Sequence, residues 1–258
     1  MARPVVTFLT DFGAGSGYPA QMKAEVLRRL PDATLVDLSH EVPPFDVLAG
    51  ALLLEACVPR FPAAAVHVAV VDPGVGTARR PLCVVDGAGS RLVGPDNGLL
   101  APFLGPGSAA FLLSDPELVP RDPSPTFHGR DLFAPVAAWL AGGGDPARLG
   151  PRVTDPVSLP SLSAKRAAGG IDGACLASDP FGNLVTSIRR ADLADGTIVA
   201  VTVAGRPARL VVTFADGSPG ELLALWGSGG RLEIAMREGS AAREPGLGRG
   251  APVRVELG

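Results

Sequence analysis

Ala65-Val66-His67-Val68-Ala69-Val70-Val71-Asp72-Pro73-Gly74-Val75-Gly76-Thr77-Ala78-Arg79-Arg80 opens on an apolar, β-branched run and closes on a glycine-rich turn ending in arginine. The first half reads as a buried strand, because β-branched side chains fit a packed, pleated surface. The second half puts an acidic residue where that strand leaves the core and an arginine seven positions on. The strand holds Asp72 in fixed geometry, and the glycines let the backbone turn sharply and approach a ligand. A bare turn would do with one glycine. Two glycines, a proline and an Asp–Arg pair at a strand's end mark a polar site mounted on the edge of a sheet.

Outward from this stretch, strand-like and helix-like segments alternate. Val5-Val6-Thr7-Phe8-Leu9 reads as a buried strand, followed by a polar, glycine-containing loop through Tyr18. Met22, Val26, Leu27 and Leu30 give residues 20–30 helical spacing. A strand over 34–38 and a helix from near Phe45 to near Cys57 lead into the strand at 65–71. This order predicts an α/β unit with a mostly parallel sheet and helices on its faces. Short strands at 82–85 and 91–93 predict a hairpin after the Gly-rich turn, and helices are expected at 96–104 and 130–141. Residues 143–165 carry Pro146, Pro151, Pro156 and Pro160 and read as an extended linker laid along a surface. Beyond about 168, short β-type runs appear at 171–177, 183–188, 198–203, 208–213, 222–226, 231–236 and 252–256, separated by Gly, Asp and Pro turns. Strands this short and close, without helices, predict a small barrel or sandwich. The expected organisation is an α/β domain over 1–165, linker included, and an all-β domain over 166–258.

The chain has 258 residues, 47% of them apolar and 19% charged, and a formal net charge of −3. No polybasic surface is implied, so nucleic acid and anionic membrane are not expected partners. Cys57, Cys83 and Cys175 are sparse, odd in number and lack any C-x-x-C pair, which argues against a disulfide framework or a zinc site. The N-terminal run reaches Thr10-Asp11 with too little hydrophobic length for a signal peptide, and no 18-residue apolar span occurs elsewhere. A cytoplasmic location is expected.

Several polar residues have two readings. Asp11, in Thr10-Asp11-Phe12-Gly13, is either a turn cap or a carboxylate at a strand's carboxyl end, suited to the vicinal hydroxyls of a ribose. His128 precedes Gly129 and a polar helix start, where anions are favoured, but a lone histidine is also a common structural residue. His40 and His67 keep the structural reading. Gly94-Pro95-Asp96-Asn97-Gly98 is turn chemistry first, with Asp96 placed to cap a following helix. Asp179-Pro180-Phe181-Gly182-Asn183 is either a hairpin turn or an aromatic and an amide for stacking on and hydrogen-bonding a purine.

Together these segments resemble one family, the S-adenosyl-L-methionine hydrolases (hydroxide adenosyltransferases), relatives of the bacterial fluorinase and chlorinase. The resemblance rests on TDFG at 10–13, Tyr18 with Met22-Lys23, VDLSHEVPPFDVLAGA at 36–51 and HVAVVDPGVGTARR at 67–80. It continues through VGPDNGLL at 93–100, TFHGRDLFAPVAA at 126–138, DPFGNLVTSI at 179–188 and GSGGRLEIAMREGSAA at 227–242. It implies an N-terminal α/β domain, a C-terminal β-barrel and a homotrimer, with active sites where one subunit's first domain meets a neighbour's second. The family's catalytic triad falls on Asp72, Arg79 and His128, and Asp11 falls where ribose hydroxyls are held. Ser16, Tyr18 and Phe45 fall among substrate-binding positions of the first domain. Asp179, Phe181 and Asn183 face the substrate from the barrel, with Ser228, Met236 and Glu238 of the 228–238 strand and turn around adenine and methionine. The chain departs from the family pattern at Gly227, where an asparagine is usual, at Ser187, and at Ser16, where an acidic residue is usual.

The implied reaction is in-line displacement at ribose C5′ by water, giving adenosine and L-methionine. The sulfonium leaves readily because departure neutralises its charge, so neither a general acid nor a metal is required. The catalytic burden is to position one water and raise its basicity. The halogenases resemble this chain less where it matters, with a tyrosine at the position of Asp72 and a Tyr-Ser pair at that of His128-Gly129. A buried carboxylate would repel a bare halide, whereas water needs an acceptor for its proton. The alternatives are a halide adenosyltransferase, a non-catalytic adenosine- or S-adenosyl-L-methionine-binding protein, and a metal-dependent phosphohydrolase built on Asp11, Asp72 and His128. No metal and no cofactor beyond the substrate are expected.

Overall fold

The β-branched run at 66–70 becomes the third strand of the first sheet, and the apolar segments on either side of it supply the rest. The computed structural model describes residues 3–194 and 196–258. The chain divides into a unit that ends at Ser158 and a second unit, Leu159–Gly258.

In the first unit β1 (Val5–Thr10) leads to α1 (Tyr18–Arg29), β2 (Thr34–Ser39), α2 (Val47–Cys57) and β3 (Val66–Val70). The hairpin strands β4 (Pro81–Val85) and β5 (Arg91–Pro95) follow, then β6 (Ala109–Leu112), α3 (Ala134–Ala141) and β7 (Arg152–Val153). The strand order is β2-β1-β3-β5-β4-β6-β7. The pairings β2–β1, β1–β3 and β3–β5 are parallel, and those from β5 to β4, β6 and β7 are antiparallel. Alternation along the strands sends Val66, Val68 and Val70 to one face, with Met22 and Val26 of α1, Phe133, and Leu140 of α3. Ala69 and Val71 face the other way, with Leu54, Leu82, Leu92 and Leu99. Fully burying one such Leu or Phe contributes roughly 1.5–3 kcal/mol, so both faces of β3 are committed to core and its end is held rigidly.

Two local expectations are corrected. Residues 96–104 form only a 3₁₀ turn, Ala101–Phe103, because Asn97 closes an Asx turn on Leu99 and Pro102 has no amide to donate. The stretch 143–165 is not an extended linker throughout. Asp145 caps a 3₁₀ turn at Pro146–Arg148, Leu149 is fully buried, and Arg152–Val153 adds the last strand to the sheet.

The second unit contains β8 (Lys165–Ala167), β9 (Gly170–Ser178), β10 (Leu184–Arg189), β11 (Ile198–Val203), β12 (Arg206–Pro207), β13 (Arg209–Leu210), β14 (Leu222–Trp226), β15 (Arg231–Met236) and β16 (Pro252–Leu257). Its order is β12-β11-β16-β9-β10-β15-β14-β13, with β8 added beside β9. The first and last strands of that order are joined through Ala208 alone, so one chain segment bridges the two edges and the sheet closes as a small barrel. Closure removes the exposed edges that a flat sheet would present. Ile171, Leu184, Ile188, Val203, Ile234 and Val255 fill the interior. The strand expected over 208–213 shortens to two residues because Asp216 Oδ2 accepts from the Val212 and Thr213 amides and turns the chain away.

His67 sits in β3 with no exposed surface, its Nδ1 2.8 Å from the Thr7 hydroxyl and its Nε2 without a hydrogen-bond partner. Burial pushes its pKa down from 6.5 to about 4. As pH falls below 6.5 the unfolded chain takes up a proton here that the folded chain refuses until about pH 4, so stability falls through that window. The slope is about 1.4 kcal/mol per pH unit. Urea unfolding at pH 6.5 and 5 is expected to show the wild type losing about 2 kcal/mol more than His67→Gln. Equal losses in the two proteins would show that His67 does not carry this pH dependence.

Candidate active site

Parallel pairing places the carboxyl ends of three strands along one edge. Thr10 of β1 is in register with Val70 of β3, and Val68 of β3 with Val93 of β5. Asp11, Asp72 and Asp96 each follow one of these strands, which is where open α/β sheets gather polar ligands.

Asp72 and Arg79 form a buried ion pair, their side chains 3% and 9% exposed. Arg79 Nε donates to Oδ1 at 3.1 Å and to Oδ2 at 2.9 Å, and Nη2 donates to Oδ2 at 2.5 Å. The turn between them is braced by the Thr77 hydroxyl, which donates to Gly74 O at 2.7 Å and accepts from the Arg79 amide at 3.3 Å. Gly76 has φ +76°, and a Cβ there would stand 2.6 Å from the Pro125 carbonyl, so only glycine lets the turn pack against the segment that precedes His128.

Arg79 Nη2 also donates to His128 Nδ1 at 2.7 Å. A guanidinium has no acceptor. His128 Nδ1 therefore carries a lone pair, the ring proton sits on Nε2, and the imidazole is neutral. Burial first, then the charge of Arg79, hold the His128 pKa below 6.5, against the opposing pull of Asp72 and Asp131. His128 leads directly into a π-helical turn, Gly129–Phe133, which runs on into α3. Such turns interrupt helices at functional positions. This one sets Phe133 under the Arg79 guanidinium, 5.4 Å from ring centre to Cζ.

Asp11 does not cap its own turn. Its Oδ2 accepts from the amide of Phe45 at 2.8 Å, and Phe45 sits at φ +66°, a conformation that is strained for a bulky residue. The Phe45 side chain is left 69% exposed. Tyr18, the first residue of α1, is also exposed, and its ring packs edge-on against Phe12 at 5.9 Å and Phe127 at 5.2 Å. Those rings tie the loop after β1 to the segment carrying His128. The Ser16 hydroxyl in that loop is buried without a hydrogen-bond partner. His40 is structural, as expected, but what it supports is this loop. Its Nδ1 lies 2.9 Å from the Thr10 hydroxyl, which accepts from the Phe12 amide, and its Nε2 lies 3.0 Å from Asp37 Oδ1.

In the second unit Asp179, Phe181, Asn183, Ser228, Met236 and Glu238 all line one groove of about 1510 Å³. Asp179 holds the turn: Oδ1 accepts from the Phe181 amide at 2.9 Å and the Asn183 amide at 2.8 Å, and Oδ2 from Asn183 Nδ2 at 2.8 Å. The hairpin-turn reading of this segment holds, and the same turn leaves Phe181 80% exposed at the groove. Glu233, on the same groove, was not singled out from sequence. A Cβ at Gly227 would overlap its carboxylate, so the glycine opens the space it occupies. Burial, and then the charge of Asp179, raise the Glu233 pKa above the usual carboxylate value. The signal for it was the unusual glycine itself.

A separate cavity of about 1000 Å³ in the first unit, lined by Trp139, Arg121 and Arg148 among others, contains none of the candidate residues. Among the described residues, no three His, Cys, Asp or Glu side chains converge as a metal site, and no helix is long and apolar enough to cross a membrane.

The chain matches two family models, the SAM hydroxide adenosyltransferase N-terminal domain over residues 6–150 and the C-terminal domain over residues 173–254. It is 43% identical to a protein named (R)-S-adenosyl-L-methionine hydrolase from Salinispora tropica, over 99% of this chain and 98% of that one. A protein named fluorinase from Nocardia brasiliensis is 30% identical, over 99% of this chain and 98% of its own length. The crystal structure of an uncharacterized conserved protein from Thermotoga maritima superposes with a TM-score of 0.84 at 33% identity, covering 97% of this chain and 99% of that one. The chain belongs to the S-adenosyl-L-methionine hydroxide adenosyltransferase family.

Proposed function

We infer that this protein hydrolyses S-adenosyl-L-methionine to adenosine and L-methionine, with Asp72, Arg79 and His128 activating the water. The observation that carries the catalytic assignment is the connected hydrogen-bond set of those three side chains, at 2.5–3.1 Å. Water oxygen attacks ribose C5′ from behind. The C5′–S bond breaks, and its electron pair returns to sulfur as the neutral thioether of methionine. The water proton goes to an acceptor, and the hydrogen bonds within the trio favour one atom for it. Asp72 Oδ2 takes two Arg79 donations and His128 Nδ1 takes another, whereas Asp72 Oδ1 takes only the longer arm of a shared N–H. We assign the proton to Asp72 Oδ1. His128 Nε2–H and the guanidinium then orient the water and offset negative charge as it develops.

Asp11 and the exposed rings of Tyr18 and Phe45 suit the ribose and base of the nucleoside, with Ser16 in the same loop. Phe181, Asn183, Ser228, Met236 and Glu238 suit adenine and methionine on the barrel side, with Asp179 as the turn that sets them. The half-sites combine between neighbouring subunits of a homotrimer, which would cover the exposed Phe181. No cofactor or metal is needed, because the sulfonium is its own activated leaving group. A cytoplasmic location fits three free cysteines and a metabolite substrate.

Incubation with S-adenosyl-L-methionine in ¹⁸O-labelled water is expected to release methionine and to place label in the 5′-hydroxyl of adenosine. Formation of 5′-chloro-5′-deoxyadenosine with added chloride, or binding without turnover, would replace this reading by halide transfer or by a binding function. Asp72→Asn is expected to lower kcat by about 10²–10⁴-fold while KM changes little. Because His128 must stay neutral to accept from Arg79, the acid limb of kcat/KM is expected below pH 6.5. A limb at or above that value would exclude the assigned protonation state.

A further inference from the structure

We propose that Asn97, with Asp96 beside it, is the positioning residue of the Asp72–Arg79 pair, clamping both ends of the loop that carries it; this rests on the catalytic reading of that pair. Asn97 Nδ2 donates to the carbonyl of Val71, immediately before Asp72, at 2.8 Å. The Asp96 amide donates to the carbonyl of Arg80, immediately after Arg79, at 2.9 Å. The Arg80 side chain returns to the same turn, with Nε 2.8 Å and Nη2 2.6 Å from Asp96 Oδ2. Arg80 is thus an anchor and not a spare cation.

The clamp is itself held. Asp96, with its side chain 3% exposed, accepts from the Val157 amide through Oδ1 at 2.8 Å, and Arg80 also reaches Asp155. Asn97 Oδ1 accepts from the Leu99 amide at 3.1 Å, which fixes the amide plane and aims Nδ2 at Val71. One donor and one acceptor are required at this position, on one short side chain. Asparagine supplies both. Aspartate would set a second acceptor against the Val71 carbonyl, and an apolar residue would supply neither group.

Thr77 braces the loop only from within, so its clamped end points decide where the loop, carrying Asp72 and Arg79, stands against His128. A shift of about 1 Å at either end is enough to cost on the order of 10²-fold in rate while leaving substrate contacts elsewhere untouched.

The test is Asn97→Asp, with Asn97→Ser as a second variant if the first does not fold, compared with the wild type and with Val255→Ala, which destabilises the core of the second unit. Steady-state kinetics with S-adenosyl-L-methionine, thermal melting and NMR titration of the His128 ring are measured on each protein. The expected result is a kcat roughly 10- to 100-fold lower with KM within about two-fold of wild type, and a His128 titration moved upward as Arg79 loses its grip on Nδ1. Val255→Ala is expected to melt lower with kcat and the His128 titration unchanged. Wild-type kcat together with an unmoved His128 titration in the Asn97 variants would overturn the proposal. So would a loss of kcat that Val255→Ala reproduces at the same melting temperature. If the wild type releases no methionine, the hydrolase reading fails, and the His128 titration alone decides whether Asn97 positions the pair.

Discussion

A carboxylate and a guanidinium buried together organise this protein's candidate chemistry. Taking both charges out of water is costly, and the return comes from the close, multiply hydrogen-bonded geometry of Asp72 and Arg79. Once the pair exists, much else follows. Arg79 has one further donation available at Nη2, and His128 Nδ1 takes it, which sets the imidazole's tautomer and leaves Nε2–H for a ligand. Phe133 lies against the guanidinium, so the π-helical turn after His128 and the loop after β3 are locked to each other. Removing either member of such a pair strands a buried charge, at about 3–5 kcal/mol. The candidate catalytic set is therefore also a structural one.

Sheet order explains how distant residues reach this pair. Asp11, Asp72 and Asp96 belong to segments far apart in the chain, yet β1, β3 and β5 are parallel neighbours and end on one edge. The β4–β5 hairpin matters for the same reason. It returns the chain so that the Gly94–Gly98 turn lies beside the loop whose ends it holds. In the barrel, closure through Ala208 produces a rigid wall on which Asp179, through three accepted hydrogen bonds, stands its turn. In both units, a stiff scaffold presents polar residues on short connections, where a ligand has access and the backbone is free to bend.

Much of this was readable in short windows of sequence. Apolar alternation marked β1 and β3, helical spacing marked α1, and the run of short strands separated by turn residues marked the barrel. Asp72, Arg79 and His128 stood out locally, each for its own reason. The misreadings were also local. Residues 96–104 join a potential Asp cap to apolar residues, but an Asx turn and a proline win. Residues 143–165 look like a linker, but Leu149 and Arg152–Val153 are drawn into the first unit because a buried leucine and a free sheet edge outweigh proline content.

What the amino-acid sequence by itself determined is the set of elements and the kinds of chemistry at their ends, because periodicity, turn preference and side-chain type act over a few residues. Tertiary structure decided the partners. That Asp11 serves the Phe45 amide, that His40 supports Thr10 and that Asn97 grips Val71 depend on strand order and register. No local pattern encodes them, since each joins groups that only the folded sheets bring within hydrogen-bond or van der Waals reach.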